Sequence, residues 1–261
     1  MRAGERMRTW HPRVPGVREV LHADFVEHAY PAHTHDEWTL LLIDAGEVAY
    51  ALDGVDRRAP AGTVTLLPPH VAHDGRSARE GGFRKRVVYL DGAWLGSSLI
   101  GASVDDPLVP GLAADTSALH AALADAGDEL AAEAILLRIR ERIRRHLRPG
   151  GTPASGPAST AHRLRELLDA RVVTGVTLDE AGRMLGAHPA SLNRLFQAAF
   201  GITPHRYLVG RRVDRARHLL VDGWPAAEAA TASGFYDQAH LTRHFARVLG
   251  VTPAAYARGG R

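Results

Sequence analysis

The sequence contains no cysteine, a single lysine and no long apolar run. Without cysteine, the 261-residue chain can form neither a disulfide nor a thiolate-based zinc or iron–sulfur site. No apolar stretch approaches the ~20 residues that a membrane-spanning helix needs. The N-terminus also lacks the apolar segment of a signal peptide. We therefore expect a cytoplasmic protein with no membrane partner.

The composition is that of a folded globular protein. Hydrophobic residues make up 45% of the chain and charged residues 23%, and the length is enough for two ordinary domains. The net charge is only +3. Because Lys85 is the one lysine, contacts with phosphate groups would come almost entirely from arginine, whose guanidinium group suits bidentate geometry.

Short apolar runs separated by Gly, Pro and Asp turns predict a β-rich N-terminal region that ends near residue 92. Strands are expected at 38–44, 47–52, 63–67 and 84–90. Asp53-Gly54 is a hairpin signal. Many short strands at this spacing favour a sandwich or a barrel, here at about 20–92.

The period changes to that of a helix at about 117–148. Apolar residues at intervals of three and four form one narrow stripe, namely Ala132, Ile135, Leu136, Ile139, Ile143 and Leu147. This stripe could pack on the barrel of its own chain or on a second copy, which leaves a homodimer as one alternative.

The stretch "PGGTPASGPAST" at 149–160 carries no large apolar side chain. It predicts a flexible linker, which would span roughly 19 Å root-mean-square. The linker would separate an N-terminal effector-binding and dimerisation domain, 1–148, from a helical domain, 161–261. The second domain could then be placed semi-independently of the first.

The helical domain contains an internal repeat. Identical residues recur at an offset of 49 positions, including Leu192 and Leu241, Arg194 and Arg243, Phe196 and Phe245, Gly201 and Gly250, and Tyr207 and Tyr256. A run of matches at one fixed offset means that one supersecondary unit is used twice.

Each copy has the pattern of a helix-turn-helix, at about 178–200 and 226–249. In the first copy, Thr177 and Glu180 have capping-box spacing, and His188 precedes Pro189 where a second helix would start. Asp237 is the corresponding N-cap in the second copy. The expected buried positions are Leu192, Leu195, Phe196 and Ala199 in the first copy and Leu241, Phe245 and Leu249 in the second.

Polar side chains near the start of each second helix suit the reading of base edges in the DNA major groove. Arg194 and Arg243 can bridge guanine O6 and N7, and Asn193 and Gln238 can bridge adenine N6 and N7. A helix at about 205–223 lies between the copies and would hold them at a fixed separation. Double-stranded DNA is therefore the predicted partner.

The segment "SGFYDQAHLTRHFARVLGVTPAAYAR" (233–258), together with "FGITPHRYL", resembles the AraC/XylS family of bacterial transcription regulators. The resemblance covers about 161–258 and implies a set of DNA-contacting positions. They are Ala190, Ser191, Asn193, Arg194 and Gln197 in the first motif, and Gln238, Ala239, His240, Thr242 and Arg243 in the second. Ala190 and Ala239 are small where some members carry larger side chains, although alanine can still meet a thymine methyl group.

The region at about 25–92 resembles the cupin-type effector domain, a small β-barrel, that many members of this family carry. The expected fold is thus multidomain α+β, with a cupin-like barrel and helices followed by an all-α domain with two helix-turn-helix motifs. The resemblance implies a small-molecule effector as a second partner, with RNA polymerase as a candidate third.

Two histidines one residue apart, His33 and His35, would point to the same face of a strand. With His73 as a third ligand they could bind Zn²⁺, Mn²⁺ or Fe²⁺. Metal-binding cupins usually add a glutamate three or four residues later, where this chain has Thr39 and Leu40. The favoured interpretation is therefore a pocket without a required cofactor. Its candidate lining residues are His33, His35, Trp38, Tyr50 and His73.

Three functional hypotheses follow. The leading one is a ligand-responsive transcription regulator that is not an enzyme, because the spacing shows no catalytic triad, phosphate loop or general-acid pair. The second is a cupin metalloenzyme with an appended DNA-binding domain. The third is an effector-independent regulator whose barrel serves only for dimerisation.

Overall fold

A computed structural model of the protein describes residues 5–148 and 159–259. The first part is an antiparallel sheet followed by three helices, and the second part is helical. The strands are β1 (Arg6–Trp10), β2 (Val17–Phe25), β3 (Tyr30–His33), β4 (Trp38–Leu52), β5 (Val55–Pro60), β6 (Val64–Leu67), β7 (His73–Ser77) and β8 (Phe83–Leu90). The helices are α1 (Ile100–Asp105), α2 (Ala113–Ala124), α3 (Glu129–His146), α4 (Thr160–Ala170), α5 (Leu178–Leu185), α6 (Pro189–Phe200), α7 (Pro204–Val221), α8 (Ala226–Ala232), α9 (Gln238–Leu249) and α10 (Pro253–Gly259).

The eight strands form one curled sheet, a half-barrel, in the order β1-β2-β8-β4-β7-β3 with β5 and β6 also paired to β4. The long strand β4 produces the curl. Its first half pairs with β8 and β6, and its second half pairs with β5 and β7. The predicted strands 38–44 and 47–52 are therefore one bent strand, and the "DAG" between them is not a turn. Its Gly46 has φ +78°, and a Cβ there would lie 2.4 Å from the carbonyl oxygen of Gly82.

The apolar run at the start of β4 is explained by burial on both of its faces. Leu40 and Leu42 pack with the helices on the convex face of the sheet. Leu41 and Ile43 point into the concave interior. Successive strand residues face opposite sides, so each side chain in this run lies in one of two apolar layers.

The helical region predicted at about 117–148 consists of two helices, α2 and α3, which are separated at 125–128. All six residues of the predicted α3 stripe are buried against the convex face of the chain's own sheet. Of the two sequence alternatives, packing within the chain is the one that the structure shows. Leu130 and Leu137 lie outside the stripe, with 79% and 56% of their surface exposed.

The helical half begins inside the predicted linker. Ser159 caps α4 by accepting a hydrogen bond from the backbone N–H of His162, and the helix starts at Thr160. The rest of the predicted linker, 149–158, lies outside the described residues. The predicted motifs at about 178–200 and 226–249 coincide with α5–α6 and α8–α9. The described helices include none with the length and hydropathy of a membrane span.

The two halves pack against each other. Strand β1 lies against α10, and β3 lies against α7 and α9. The expectation of semi-independent placement therefore does not describe this conformation, because the halves share a buried interface that includes charged groups.

Candidate nucleic-acid interface and effector pocket

The first helix-turn-helix is defined by local capping. Thr177 and Glu180 form the predicted capping box at the start of α5. His188 accepts a hydrogen bond from the N–H of Ala190, and Gly201 ends α6 in the left-handed conformation. These hydrogen bonds satisfy helix-terminal groups that would otherwise be unpaired, which is why the sequence alone located both helices.

The polar positions of α6 lie at the surface. Arg194 and Gln197 are exposed, while Ser191 and Asn193 are half-buried. The Asn193 amide donates to the Gln197 side-chain oxygen at 3.4 Å. Ala190 is exposed in the first turn. The arrangement places two amides and one guanidinium group on the outer side of the helix, which is the chemistry that base edges require.

The buried face of α6 differs from the prediction at two positions. Leu192 and Phe196 are fully buried as expected, but Leu195 is 43% exposed and Ala199 is also exposed. The stripe continues at intervals of four to Phe200, which packs partly into the same cluster. Leu195 lies one residue from Phe196 and therefore about 100° away around the helix, outside the layer that α4 and α5 cover.

The second helix of the second motif, α9, has the same kind of capping and the same division into a buried and an exposed face as α6. Asp237 caps α9 by accepting from the N–H of His240 at 2.6 Å. The three residues predicted to form the buried face of this helix are buried, namely Leu241, Phe245 and Leu249. The candidate contact residues are exposed or half-buried, namely Gln238, Ala239, His240, Thr242 and Arg243. The Thr242 hydroxyl donates to the carbonyl of Gln238, so it could offer only an acceptor to DNA.

The concave face of the sheet encloses a cavity, here called the barrel cavity. Leu21, Tyr30, His33, His35, Thr39, Leu41, Val48, Tyr50, Leu67, His73, Asp74, Gly75, Phe83, Lys85, Val87, Tyr89 and Leu249 line it. Its free volume is about 50 Å³, which is room for a few water molecules or a metal ion with water. Leu249, at the end of α9, is one of the lining residues, so α9 of the helical half contributes to the wall of the cavity.

Four of the five candidate pocket residues line the barrel cavity, and Trp38 does not. The Trp38 side chain is fully buried on the convex side among the α2–α3 helices. Its indole N–H donates to the carbonyl of Gly92 at 3.1 Å. Trp38 starts β4, and the two-residue alternation of the strand places it on the side opposite Thr39.

The histidines predicted as a group meet in the barrel cavity. His33 is the last residue of β3, His35 follows in the loop, and His73 starts β7. Their ring centroids are 4.6–4.9 Å apart. Burial, followed by the neighbouring imidazoles, holds the pKa of His33 well below its usual range and lowers the pKa of His73 to about 3. Both rings are therefore neutral at physiological pH.

Lys85, the one lysine of the chain, reaches the same cavity from β8. Its ammonium nitrogen lies 3.9 Å from the centroid of the Tyr30 ring, a cation–π contact. Burial lowers the pKa of Lys85 to about 7. An anionic group beside it would restore the charged form, because an opposite charge at short range favours ionisation.

A buried charged group at the interface of the two halves was not predicted from the sequence. We call it the Arg217 cluster, and its members are Glu19, Glu37, Asp214, Arg217, His218 and Tyr256. Arg217 of α7 donates to Glu19 at 2.7 Å, to Glu37 at 3.2 Å and to Asp214 at 2.9 Å. Tyr256 of α10 donates to Glu19. The side chain of Arg217 is 1% exposed.

The Arg217 cluster is electrostatically balanced by groups from both halves. Burial alone would lower the pKa of Arg217, but Glu19, Asp214 and Glu37 raise it well above its usual value. Burial raises the pKa of Glu19. The available sequence signal was an acid and a base three residues apart, Asp214 and Arg217, on the apolar side of α7. Their partners lie about 180 to 200 positions away in the chain.

Comparison with known proteins agrees with this division of the chain. Residues 15–139 match the "AraC-like ligand binding domain" and residues 181–259 match a "Helix-turn-helix domain". The chain belongs to the AraC family of transcriptional regulators. It is a DNA-binding regulator with an N-terminal ligand-binding domain.

Several relatives and solved structures are similar over different extents. The "Uncharacterized HTH-type transcriptional regulator YbfI" of Bacillus subtilis is 27% identical over 226 residues, which is 81% of each chain. The "Bifunctional transcriptional activator/DNA repair enzyme Ada" of Escherichia coli is 31% identical over 33% of this chain and 25% of its own length. The crystal structure of ToxT from Vibrio cholerae shares the fold, with a TM-score of 0.59 and 12% identity over 98% of this chain and 97% of that one.

Proposed function

We propose that this AraC-family regulator reads operator DNA with α6 and α9 and is controlled by a small molecule in the barrel cavity. The main support for DNA binding by these helices is the pair of capped helix-turn-helix units, each of which exposes polar side chains on its second helix. The proposed DNA contacts are Ala190, Ser191, Asn193, Arg194, Gln197, Gln238, Ala239, His240, Thr242 and Arg243. Regulation, without catalysis, is the proposed activity.

A DNA-selection experiment tests this assignment. The full-length protein is incubated with a pool of random duplexes, and bound sequences are enriched over several rounds. We expect a site with two conserved blocks, one for each reading helix, because two such helices can enter successive major-groove segments from the same side. Enrichment of no sequence, or of one block only, would contradict readout by both motifs.

The effector is proposed to be a small molecule that carries an anionic group. Lys85 supports this class, because it is a cation in a largely apolar wall and faces an aromatic ring rather than a carboxylate. A solved structure of ToxT is described as bound to an unsaturated fatty acid. The small free volume means that a larger effector would have to displace Leu249 or the flanking side chains, and α9 would move with it.

Thermal unfolding against a panel of carboxylic acids tests the effector class. Binding to the folded state should raise the melting temperature of wild type, and the Lys85→Met variant should lose most of that shift. The control is Arg84→Met, the exposed neighbour of Lys85 on the same strand. If an acid raises the melting temperature of wild type and of Lys85→Met by the same amount, Lys85 does not bind its anionic group.

The remaining partners are part of the same proposal. A cytoplasmic regulator that binds a promoter would meet RNA polymerase there. A homodimer is supported by Leu130 and Leu137, which are seven residues apart on the outer face of α3 and exposed. Sedimentation of wild type and of a Leu130→Glu, Leu137→Glu double variant at micromolar concentration tests the dimer. A monomeric wild type would contradict it.

A further inference from the structure

Three buried imidazoles meet in the wall of the barrel cavity. His33, His35 and His73 are each about 5–6% exposed. One ring nitrogen from each lies within 4.8 Å of the others. Polar side chains are rarely gathered in an apolar interior unless they bind something. The group comes from three separate positions, the end of β3, the following loop and the start of β7.

The outward nitrogen of each ring already has an oxygen beside it. The Nδ1 atom of His33 lies 2.7 Å from the carbonyl oxygen of Pro31, and that of His73 lies 3.0 Å from the carbonyl oxygen of Val71. The Nδ1 atom of His35 lies 3.8 Å from a carboxylate oxygen of Asp214. A carbonyl oxygen accepts only an N–H, so Nδ1 of His33 and His73 carries the proton and Nε2 has a free lone pair.

We propose that His33, His35 and His73 bind one divalent transition-metal ion through their inner nitrogens, and that Asp214 makes this site part of the interface with the DNA-binding half. Metal-ligating histidines typically donate their other N–H to a carbonyl or a carboxylate, which is the pattern of His33 and His73. The carboxylate of Asp214 lies 3.8 Å from the corresponding nitrogen of His35.

The donor set defines the class of ion. Three imidazole nitrogens favour Zn²⁺, Co²⁺, Ni²⁺ or Fe²⁺ over Mg²⁺ and Ca²⁺, which prefer oxygen. Metal–nitrogen bonds of ~2.0–2.1 Å require the rings to close by about an ångström from their present positions. Thr39, in place of a fourth protein ligand, lines the cavity with a buried hydroxyl that has no hydrogen-bond partner among the described residues. A metal-bound water would supply that partner.

The site connects to DNA binding through Asp214. This residue lies on α7, between the two helix-turn-helix motifs, and is held by Arg217 at 2.9 Å. A metal on the inner nitrogen of His35 would fix its Nδ1–H toward Asp214 and so favour the docked arrangement of the two halves. By linkage, the ion changes DNA affinity by the same factor that DNA changes ion affinity. This regulatory step rests on the proposed function, whereas metal binding itself does not.

A second arrangement of ligands shares one of these residues. His35, Glu37 and Asp214 also place one donor atom each within 4.8 Å of the others. These two carboxylates, however, are already bound to Arg217. Substitutions at His73 distinguish the two sets, because His73 belongs only to the first.

Titration of the metal-free, full-length protein with Co²⁺ tests the site. Wild type should bind one ion per chain and develop the visible absorption bands of a low-symmetry Co²⁺ complex. The His33→Asn and His73→Asn variants should bind at least a hundredfold more weakly, because loss of an outer-shell partner alone costs 10–100-fold. The matched control is His120→Asn, which removes a buried histidine on the convex side of the sheet and should bind like wild type.

Two results would overturn the assignment. One is wild type that binds no stoichiometric Co²⁺ while its circular dichroism shows a folded protein. The other is a folded His73→Asn variant that binds Co²⁺ like wild type, which would transfer the site to the other ligand set.

The connection to DNA is tested by mobility shift on the selected operator with and without Co²⁺. Wild-type affinity should change severalfold on loading, and the affinity of His73→Asn should not respond. The Asp214→Asn variant should bind the ion 10–100-fold more weakly. An operator affinity of wild type that ignores bound Co²⁺ would overturn the regulatory step. A failure of the proposed function would instead show as no sequence-specific binding in either state.

Discussion

Arg217 of α7 and Glu19 of β2 form an ion pair at 2.7 Å in which the arginine side chain is 1% exposed and the glutamate is fully buried. The two residues are 198 positions apart. The pair fixes the DNA-binding half against the outer part of the sheet, and Tyr256 contributes a second hydrogen bond to the same carboxylate. In the docked arrangement, the Arg217 cation therefore neutralises acids from both halves.

Removal of the Arg217 cation should strongly lower the free energy of unfolding. The Arg217→Leu variant leaves the carboxylates of Glu19, Glu37 and Asp214 buried without their cation. Removing one partner of a buried ion pair typically lowers the free energy of unfolding by about 3–5 kcal/mol. The free energy of unfolding in urea measures the loss. If the two halves separate to hydrate the acids, small-angle scattering will show a larger radius of gyration instead. Arg215→Leu on the same helix is the control, because Arg215 is exposed and bonds within its own half.

The interface should also weaken as pH rises. Burial and the Arg217 charge lower the pKa of His218, but the bond to Glu37 at 2.5 Å and the charges of Asp214 and Glu37 outweigh them and raise it. Because the pKa of His218 is higher in the folded protein than in the unfolded chain, protonated His218 stabilises the folded state. This stabilisation is complete below the ordinary histidine pKa of 6.5 and is lost as the pH rises through the raised pKa. Among the described residues, the charged and titratable groups that act on His218 include these three, Glu19 and His11.

The measurement is urea unfolding of wild type and of His218→Gln over a range of pH. The difference in unfolding free energy should be largest at mildly acidic pH and shrink toward alkaline pH. In a Glu37→Gln background the His218→Gln change should lose most of this dependence, because the main favourable partner is gone. A difference that grows with pH would contradict the assignment.

Alanine substitution of the two repeated arginines should weaken operator binding. Arg194→Ala and Arg243→Ala should each cost about 1–3 kcal/mol of specific binding, the usual value of a bidentate contact with guanine. Mobility shifts on the selected operator and on a random duplex separate base readout from phosphate attraction. Arg144→Ala, an exposed arginine on α3, is the control. Wild-type specificity in both variants would refute the assigned contacts.

Packing of α3 on its own sheet gives a stability prediction. Ile139 is fully buried, so Ile139→Ala should destabilise the protein by about 2–5 kcal/mol. Leu137→Ala, on the exposed side of the same helix, should stay within about 0.5 kcal/mol. Chemical denaturation, at a protein concentration below that of any self-association, compares the free energies of unfolding of the two variants. Equal losses at both positions would contradict this orientation of α3 on the sheet.

Local signals explain how much could be predicted from the sequence. The capping box of Thr177 and Glu180, the N-cap Asp237 and the glycine stops act within one helical turn, so they locate helices without knowledge of the rest of the fold. The 49-residue repeat then identifies the two helices as one unit used twice. The β-region was less regular, and the bend at Gly46 was mistaken for a turn because a glycine with positive φ serves both purposes.

The sequence by itself determined the class of protein, a duplicated DNA reader behind a β-rich sensor, because periodicity, caps and repeats are properties of neighbouring residues. Only the tertiary structure decided three further points. The position of α2 and α3 on the convex face of the sheet put Trp38 among these helices and left Thr39 in the barrel cavity, and α3 buried its stripe within the chain. The docking of α7 joined Arg217 to Glu19 and Asp214 to His35. Contacts between residues almost 200 positions apart leave no periodic trace, since they depend on how whole elements pack.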